Sequence, residues 1–164
     1  MLRELRSVLG TLLLVALAGC ASDVAIETSY DPLAVFPREG KFAWAEGENS
    51  ISDKLSHLNL ADLLPPAIEG ALENRGWNKG TPEKADALVS YQVGVSITVW
   101  AAEPGSDEHS RAMGSISVAL LDPESKHRLW VGFIQSEVHP ALTQEERRAR
   151  IDSAMERLFK EFPP

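Results

Sequence analysis

The chain has one cysteine, no long apolar run and no basic cluster beyond a single arginine triplet, and each shortage closes off a class of protein. With Cys20 alone among 164 residues, no disulfide can form within one molecule. No stretch reaches 18 consecutive apolar residues, so the sequence predicts no transmembrane helix. Lys and Arg total 16 against 24 Asp and Glu, for a net charge of -8. A nucleic-acid binder needs a basic surface to displace counterions from phosphate, so no nucleic-acid partner is expected. At this length one domain is expected, which excludes a large multidomain enzyme.

Recognisable catalytic patterns are missing as well. Gly114-Ser115-Ile116-Ser117 lacks the second glycine of a nucleophile elbow. Gly76 and Gly80 have no GK[ST] continuation to cradle phosphate. His57, His109, His127 and His139 are widely separated, with no H-E-x-x-H spacing, and they read as loop or turn residues. Neither catalytic residues, nor a metal site, nor a cofactor is expected, and the chain is read as not an enzyme.

What is present begins at the N-terminus. Arg3 and Arg6 precede an apolar run from Val8 to Ala18, and small residues then lead to Cys20. This is the layout of a secretory signal peptide. As a helix those 11 residues reach about 16 Å, about half of the ~30 Å hydrocarbon core. Leu17-Ala18-Gly19-Cys20 resembles the lipobox of bacterial lipoproteins. That resemblance implies cleavage before Cys20 and covalent diacylglycerol and N-acyl lipid on it. Acyl chains contribute about 0.8 kcal/mol per buried methylene, and two of them suffice for stable membrane anchoring. Residues 1–19 are thus expected to be signal, 20–23 anchor and tether, and 24–164 a single domain. Cleavage removes two arginines and one glutamate, leaving a net charge of -9, so lipid and not charge must hold the domain to an anionic membrane. Ala21 in place of an Asp after the lipidated cysteine resembles the signal for the outer membrane, which predicts its periplasmic face.

Within 24–164, alternation predicts a strand at 24–30 closed by Asp31-Pro32, and a short strand over 41–44. Residues 46–59 read as loop. Leu64, Ile68, Ala71 and Leu72 predict a helix over 65–75, started by Pro65-Pro66 and stopped by Gly76. Six alternations from Val89 to Val99 predict a strand over 86–100, followed by a loop over 102–111. Strands over 113–122 and 128–138 should form a hairpin turned by Asp122-Pro123. Thr143 and Glu146 form a capping-box signature for a second helix from about 144. The predicted fold class is α+β in two layers: an antiparallel β-sheet with two helices packed on one face, in the order β-β-α-β-β-β-α.

Tyr30-Asp31-Pro32, Phe42-Ala43-Trp44, Arg75-Gly76-Trp77, Ala85-Asp86, Leu129-Trp130-Val131-Gly132 and Phe162-Pro163 follow one another along the mature chain. In this order, behind a lipobox, the chain resembles the bacterial lipoprotein family known as domain of unknown function 4136. The resemblance implies fold and location and supplies no catalytic residues.

Two candidate contacts stand out. Trp100 shares the parity of Ser90, Gln92, Ser96 and Thr98, the wetter side of its strand, where a tryptophan can stack on a sugar or grip a partner. Packing under the 102–111 loop is its ordinary alternative. Arg147, Arg148 and Arg150 invite a lipid or partner role, yet Glu145, Glu146 and Asp152 surround them, so a solvated helix face is expected. The leading functional expectation is a non-catalytic envelope lipoprotein that contacts or helps assemble another envelope protein. The alternative is a glycan- or amphiphile-binding module that uses Trp100 or a groove between sheet and helices.

Overall fold

The computed structural model describes residues 24–101 and 108–163. Strand β1 spans Val24–Tyr30 and β2 Lys41–Trp44; β3 is the short Ser50–Ile51. A 3-10 turn over Asp53–Leu58 leads into helix α1, Leu60–Glu73. Then come β4 (Asn78–Lys79), β5 (Ala87–Ala101), β6 (Glu108–Leu121), β7 (Arg128–Glu137) and helix α2 (Gln144–Lys160). The strands form one sheet in the order β1-β7-β6-β5-β2-β4, with β3 added to β5.

The fold is mixed α and β with both helices on one face, but the sheet is not purely antiparallel. β5, β6, β7 and β1 pair antiparallel, whereas β2 runs parallel to β5 and to β4, and β3 runs parallel to β5. Apolar alternation is the same in either direction, so it carries no sign of this. The deciding feature is α1, which stands between β2 and β5 and supplies the long crossover that a parallel pair requires. Asp86 locks that pair from its side chain: its Oδ2 accepts the Lys41 amide at 2.8 Å, and its own amide donates to the Lys41 carbonyl at 2.7 Å.

Three boundaries differ from expectation. The 46–59 stretch contains β3 and the 3-10 turn, whose Leu55 and Leu58 are buried against the core. α1 begins at Leu60, so Pro65 and Pro66 lie inside it. Two prolines remove two ladder donors. Burial of Leu60, Leu63 and Leu64 holds the first turn in their stead. Finally, β6 begins at Glu108, so residues 108–111 of the expected loop are strand, paired with the end of β5.

The core lies between the sheet and the helices. Phe42, Val89, Val118, Leu120 and Trp130 project from the strands toward Leu64, Ile68, Leu72, Met155, Leu158 and Phe159, all of them fully buried. Phe162 is the hub of an aromatic cluster, 5.0 Å from Phe36, 5.4 Å from Trp130 and 5.7 Å from Trp77, each near edge-to-face. Gly132 lets α2 approach β7, because a Cβ there would lie 2.5 Å from Trp130 Cη2 and 2.6 Å from Leu158 Cδ1. The opposite face of the sheet carries only a small cluster, Ala43, Ala45, Leu88, Ala119 and Leu121. Among the described residues that face has no helical layer, so there β7 is helix-covered on one side alone.

The turns are held by side chains. Asp122 Oδ1 accepts the Ser125 amide at 2.7 Å, its hydroxyl at 2.7 Å and the Glu124 amide at 3.2 Å. The Ser125 amide, ahead of its hydroxyl and the Glu124 amide, holds this carboxyl below its ordinary value. A depressed carboxylate stabilises the fold above its unfolded pKa, and that stabilisation is lost as pH falls through the folded value.

Two outcomes follow from this packing. Gly132→Ala should lower stability by about 1–3 kcal/mol through overpacking, read as a lower urea midpoint at unchanged slope. Asp122→Asn should destabilise at about pH 6, with the gap to the parent narrowing toward about pH 3 in pH-stepped urea melts; a constant gap would refute the assignment.

Candidate functional site

A capping box fixes the start of α2. Thr143 Oγ1 accepts the Glu146 amide at 3.2 Å, while Glu146 Oε2 accepts the Thr143 amide and hydroxyl, both at 2.8 Å. The Thr143 amide and hydroxyl lower the Glu146 pKa. Because this cap sets the helix phase, it also sets which arginines face the sheet.

Arg147 and Arg150, three residues apart and therefore on one side of the helix, are half-buried; Arg148 is exposed. The expected solvated triplet is thus divided. Arg147 Nη2 donates to the Leu142 carbonyl at 2.9 Å, which fixes it over the loop leading into the helix. Arg150 forms no ion pair among the described residues. Of the acids nearby, Glu146 is engaged in the cap and Glu137 pairs with Arg111 at 3.3 Å.

Beneath these arginines lies a cleft of about 100 Å³ between the sheet and the first turns of α2. Its walls come from the start of β1 (Val24), the 3-10 turn (Leu55, Leu58), β5 to β7 (Val93, Ile116, Ile134) and α2 (Ile151, Ala154). His139 and Glu137 join Arg147 and Arg150 among its polar lining. The walls are aliphatic, and a positive pair stands among the residues that line them. Apolar walls with a few polar groups of both signs at the rim are the make-up of a small-ligand pocket.

Other polar clusters in the structure serve the fold. Glu69 Oε1 accepts Lys79 Nζ at 2.6 Å and Trp44 Nε1 at 2.7 Å, joining α1 to β4 and β2. Burial pushes its pKa up, but Lys79 and Trp44 together outweigh that and hold it below the ordinary value. His127 Nε2 meets Asp31 Oδ2 at 3.2 Å and ties the 31–33 turn to the β6–β7 turn. Among the described residues no three His, Cys, Asp or Glu side chains gather in a way that could hold a metal.

Of the residues singled out in the sequence, Leu17, Ala18, Gly19 and Cys20 lie outside the described part of the chain. Trp100 stands in β5 opposite His109, and its side chain is likewise outside the description. Trp77 and Trp130 are buried in the aromatic core. The cleft was not assembled from sequence, because its walls come from six separate segments.

The family model described as Domain of unknown function (DUF4136) matches residues 26–164. The chain belongs to this family. Among curated proteins none matches the sequence. A PDZ domain protein from Parabacteroides distasonis is similar in fold, with a TM-score of 0.54 and 12% identity over 86% of this chain. This chain spans only 36% of that protein. A neuraminyllactose-binding hemagglutinin homolog from Helicobacter pylori aligns over 82% of this chain and 90% of its own at 15% identity, with a TM-score of 0.48. A minor lipoprotein from Acinetobacter baumannii aligns over 74% and 91% at 8% identity, with a TM-score of 0.34. At 12% identity the likeness to the PDZ domain protein concerns the fold alone.

The half-buried state of Arg150 gives a direct check on the site. Arg150→Gln should leave stability within about 0.5 kcal/mol of the parent, since the arginine has no ion pair to lose. A drop of several kcal/mol in a urea melt would show that the residue is part of the core.

Proposed function

We propose that this chain is a membrane-anchored lipoprotein of the bacterial envelope, without catalytic activity, that works by binding. Residues 1–19 export it, and Cys20 carries the diacylglycerol and N-acyl lipid that hold it to the membrane, at the periplasmic face of the outer membrane. In support, among the described residues no helix is long and apolar enough to cross a membrane, so the lipid is the attachment this reading supplies.

The observation that carries the binding role is the position of β1. It begins at Val24, four residues after Cys20, and stands at the end of the sheet, paired with β7 on one side only among the described residues. An edge strand with free amides and carbonyls accepts a partner's strand. Past its far end Leu33 and Val35 stand 87% and 89% exposed, apolar contact surface for the same partner. A second envelope protein held along this edge is therefore the leading reading. The cleft favours a second one, an amphiphile-binding module; a glycan would instead use the neighbourhood of Trp100.

The anchor and the edge can be tested separately. Cys20→Ser should abolish labelling of the protein by radioactive palmitate in growing cells and release it from the membrane fraction; retained label would refute the anchor. A photo-crosslinking amino acid at Thr28, on the exposed edge, should capture one discrete envelope protein in intact cells. Capture of abundant bystanders alone, with the protein anchored, would refute the edge as a docking site.

A further inference from the structure

We propose that the face of the sheet away from the helices holds a site for a small zwitterion of the amino-acid kind, one or two residues long. Its carboxylate lies against Lys126 and Arg128, its ammonium group against Glu48, and its hydrocarbon part over Ala119, Leu121 and Val131. The site is separate from the cleft under α2 and from the β1 edge, and it does not depend on the lipid anchor.

Burial locates the site. No helix covers this face among the described residues, yet Leu121 is 6%, Ser90 7% and Ala119 9% exposed. On an uncovered sheet, residues stay that buried only where something stands around them. Small side chains lower the floor across β5 and β6, with Ser90 opposite Ala119 and Ser117 opposite Gln92. The loop after β2 and the β6–β7 turn raise the walls, and a pocket of about 250 Å³ lies between them. An apolar cavity of ~150 Å³ accepts a benzene ring, so by proportion this one accommodates about ten heavy atoms. An amino acid or a dipeptide of small residues fits that volume.

Both walls are held in place. Asn49 Oδ1 accepts the Tyr91 amide at 3.0 Å and pins the loop that carries Glu48 over β5. The Asp122 carbonyl accepts the Lys126 amide at 3.0 Å, and its carboxylate accepts the Ser125 amide at 2.7 Å. Lys126 has φ 60°, a left-handed conformation that glycine or asparagine adopts more readily. The lysine stands there against the preference of the backbone.

The polar groups define the ligand. Ser90 is more than nine-tenths buried, lines the pocket, and its hydroxyl has no hydrogen-bond partner among the described residues. Buried polar groups are ordinarily paired, so this one lacks an occupant to bond. Glu48 on one wall, and Lys126 and Arg128 on the other, form no ion pair among the described residues. Glu46 and Glu124 belong to the same loop and turn but are not among the lining residues. With both signs present, a simple anion meets Glu48 and a simple cation meets the two bases. A zwitterion makes charge-assisted bonds to both walls.

The test titrates the full-length protein in detergent, by calorimetry at neutral pH, with valine and with alanylalanine. Each is also offered as its N-acetyl form, which lacks the ammonium group, and as its amide, which lacks the carboxylate. At least one zwitterion should bind, and its two singly charged forms should bind about tenfold or more weakly. Glu48→Gln should narrow the gap to the N-acetyl form, and Lys126→Asn with Arg128→Gln the gap to the amide. All three side chains are exposed, so the urea midpoints of these variants should match the parent. If a variant fails to fold, the ligand comparison on the parent decides alone. Silence of both zwitterions, equal binding of a singly charged form, or gaps that ignore the substitutions in folded protein would overturn the proposal. None of these results bears on palmitate labelling at Cys20 or on crosslinking at Thr28, which test the anchor and the edge.

Discussion

Gly132 sets how near α2 can come to the sheet, and most of the architecture depends on that approach. Without a side chain at this position, Leu158 and Trp130 close over the β7 backbone. The helix end that follows carries Phe162 into a pocket of Phe36, Trp77 and Trp130. Arg75, just beyond α1, donates to the Phe162 carbonyl at 2.9 Å, so the two helices and the chain end are fastened at one place. The cluster even accommodates the Trp130 indole nitrogen, which is buried with no hydrogen-bond partner among the described residues, a cost of about 1–3 kcal/mol that the aromatic packing offsets. At the other end of α2 the layer between helix and sheet is filled by Val, Ile, Leu and Ala. There the packing is incomplete, and the cleft is the result.

Much of this was legible in the residues. Alternation from Val89 onward located β5, the Thr143 and Glu146 pair located the start of α2, and Asp122-Pro123 located a turn that Asp122 does organise. These signals are local, and local signals report element type and phase. Strand direction is not local. The parallel pairing of β2 with β5 is fixed by the crossover through α1 and by Asp86, whose side chain acts across 45 residues of sequence. The start of α1 escaped for a similar reason, since a double proline argues against a helix interior unless buried leucines on the preceding turn outweigh the lost bonds.

The arginine triplet shows where sequence reasoning loses a site. Counting charges along the helix balances Arg147, Arg148 and Arg150 against Glu145, Glu146 and Asp152, and the sum reads as a solvated face. Helical phase breaks the balance. Glu146 is consumed by the cap, Arg148 turns outward, and Arg147 with Arg150 turn toward the sheet. What matters for binding is the charge that remains unpaired at a partly buried position, where the effective dielectric is lower than in water and each guanidinium acts more strongly.

The same physics separates an amphiphile from a glycan. Sugars are held by aromatic platforms and dense polar contacts, and here three of the four tryptophans are engaged in packing: Trp77 and Trp130 in the core, and Trp44 against Tyr91 and bonded to Glu69. A sugar site would have to be built around Trp100, on the hairpin that continues past the level of Val24. The cleft needs no such addition. Under the amphiphile reading, aliphatic walls would supply affinity in proportion to the apolar area they cover. A hydroxyl-rich ligand would leave its own polar groups unpaired against those walls, a penalty that grows with every hydroxyl it carries.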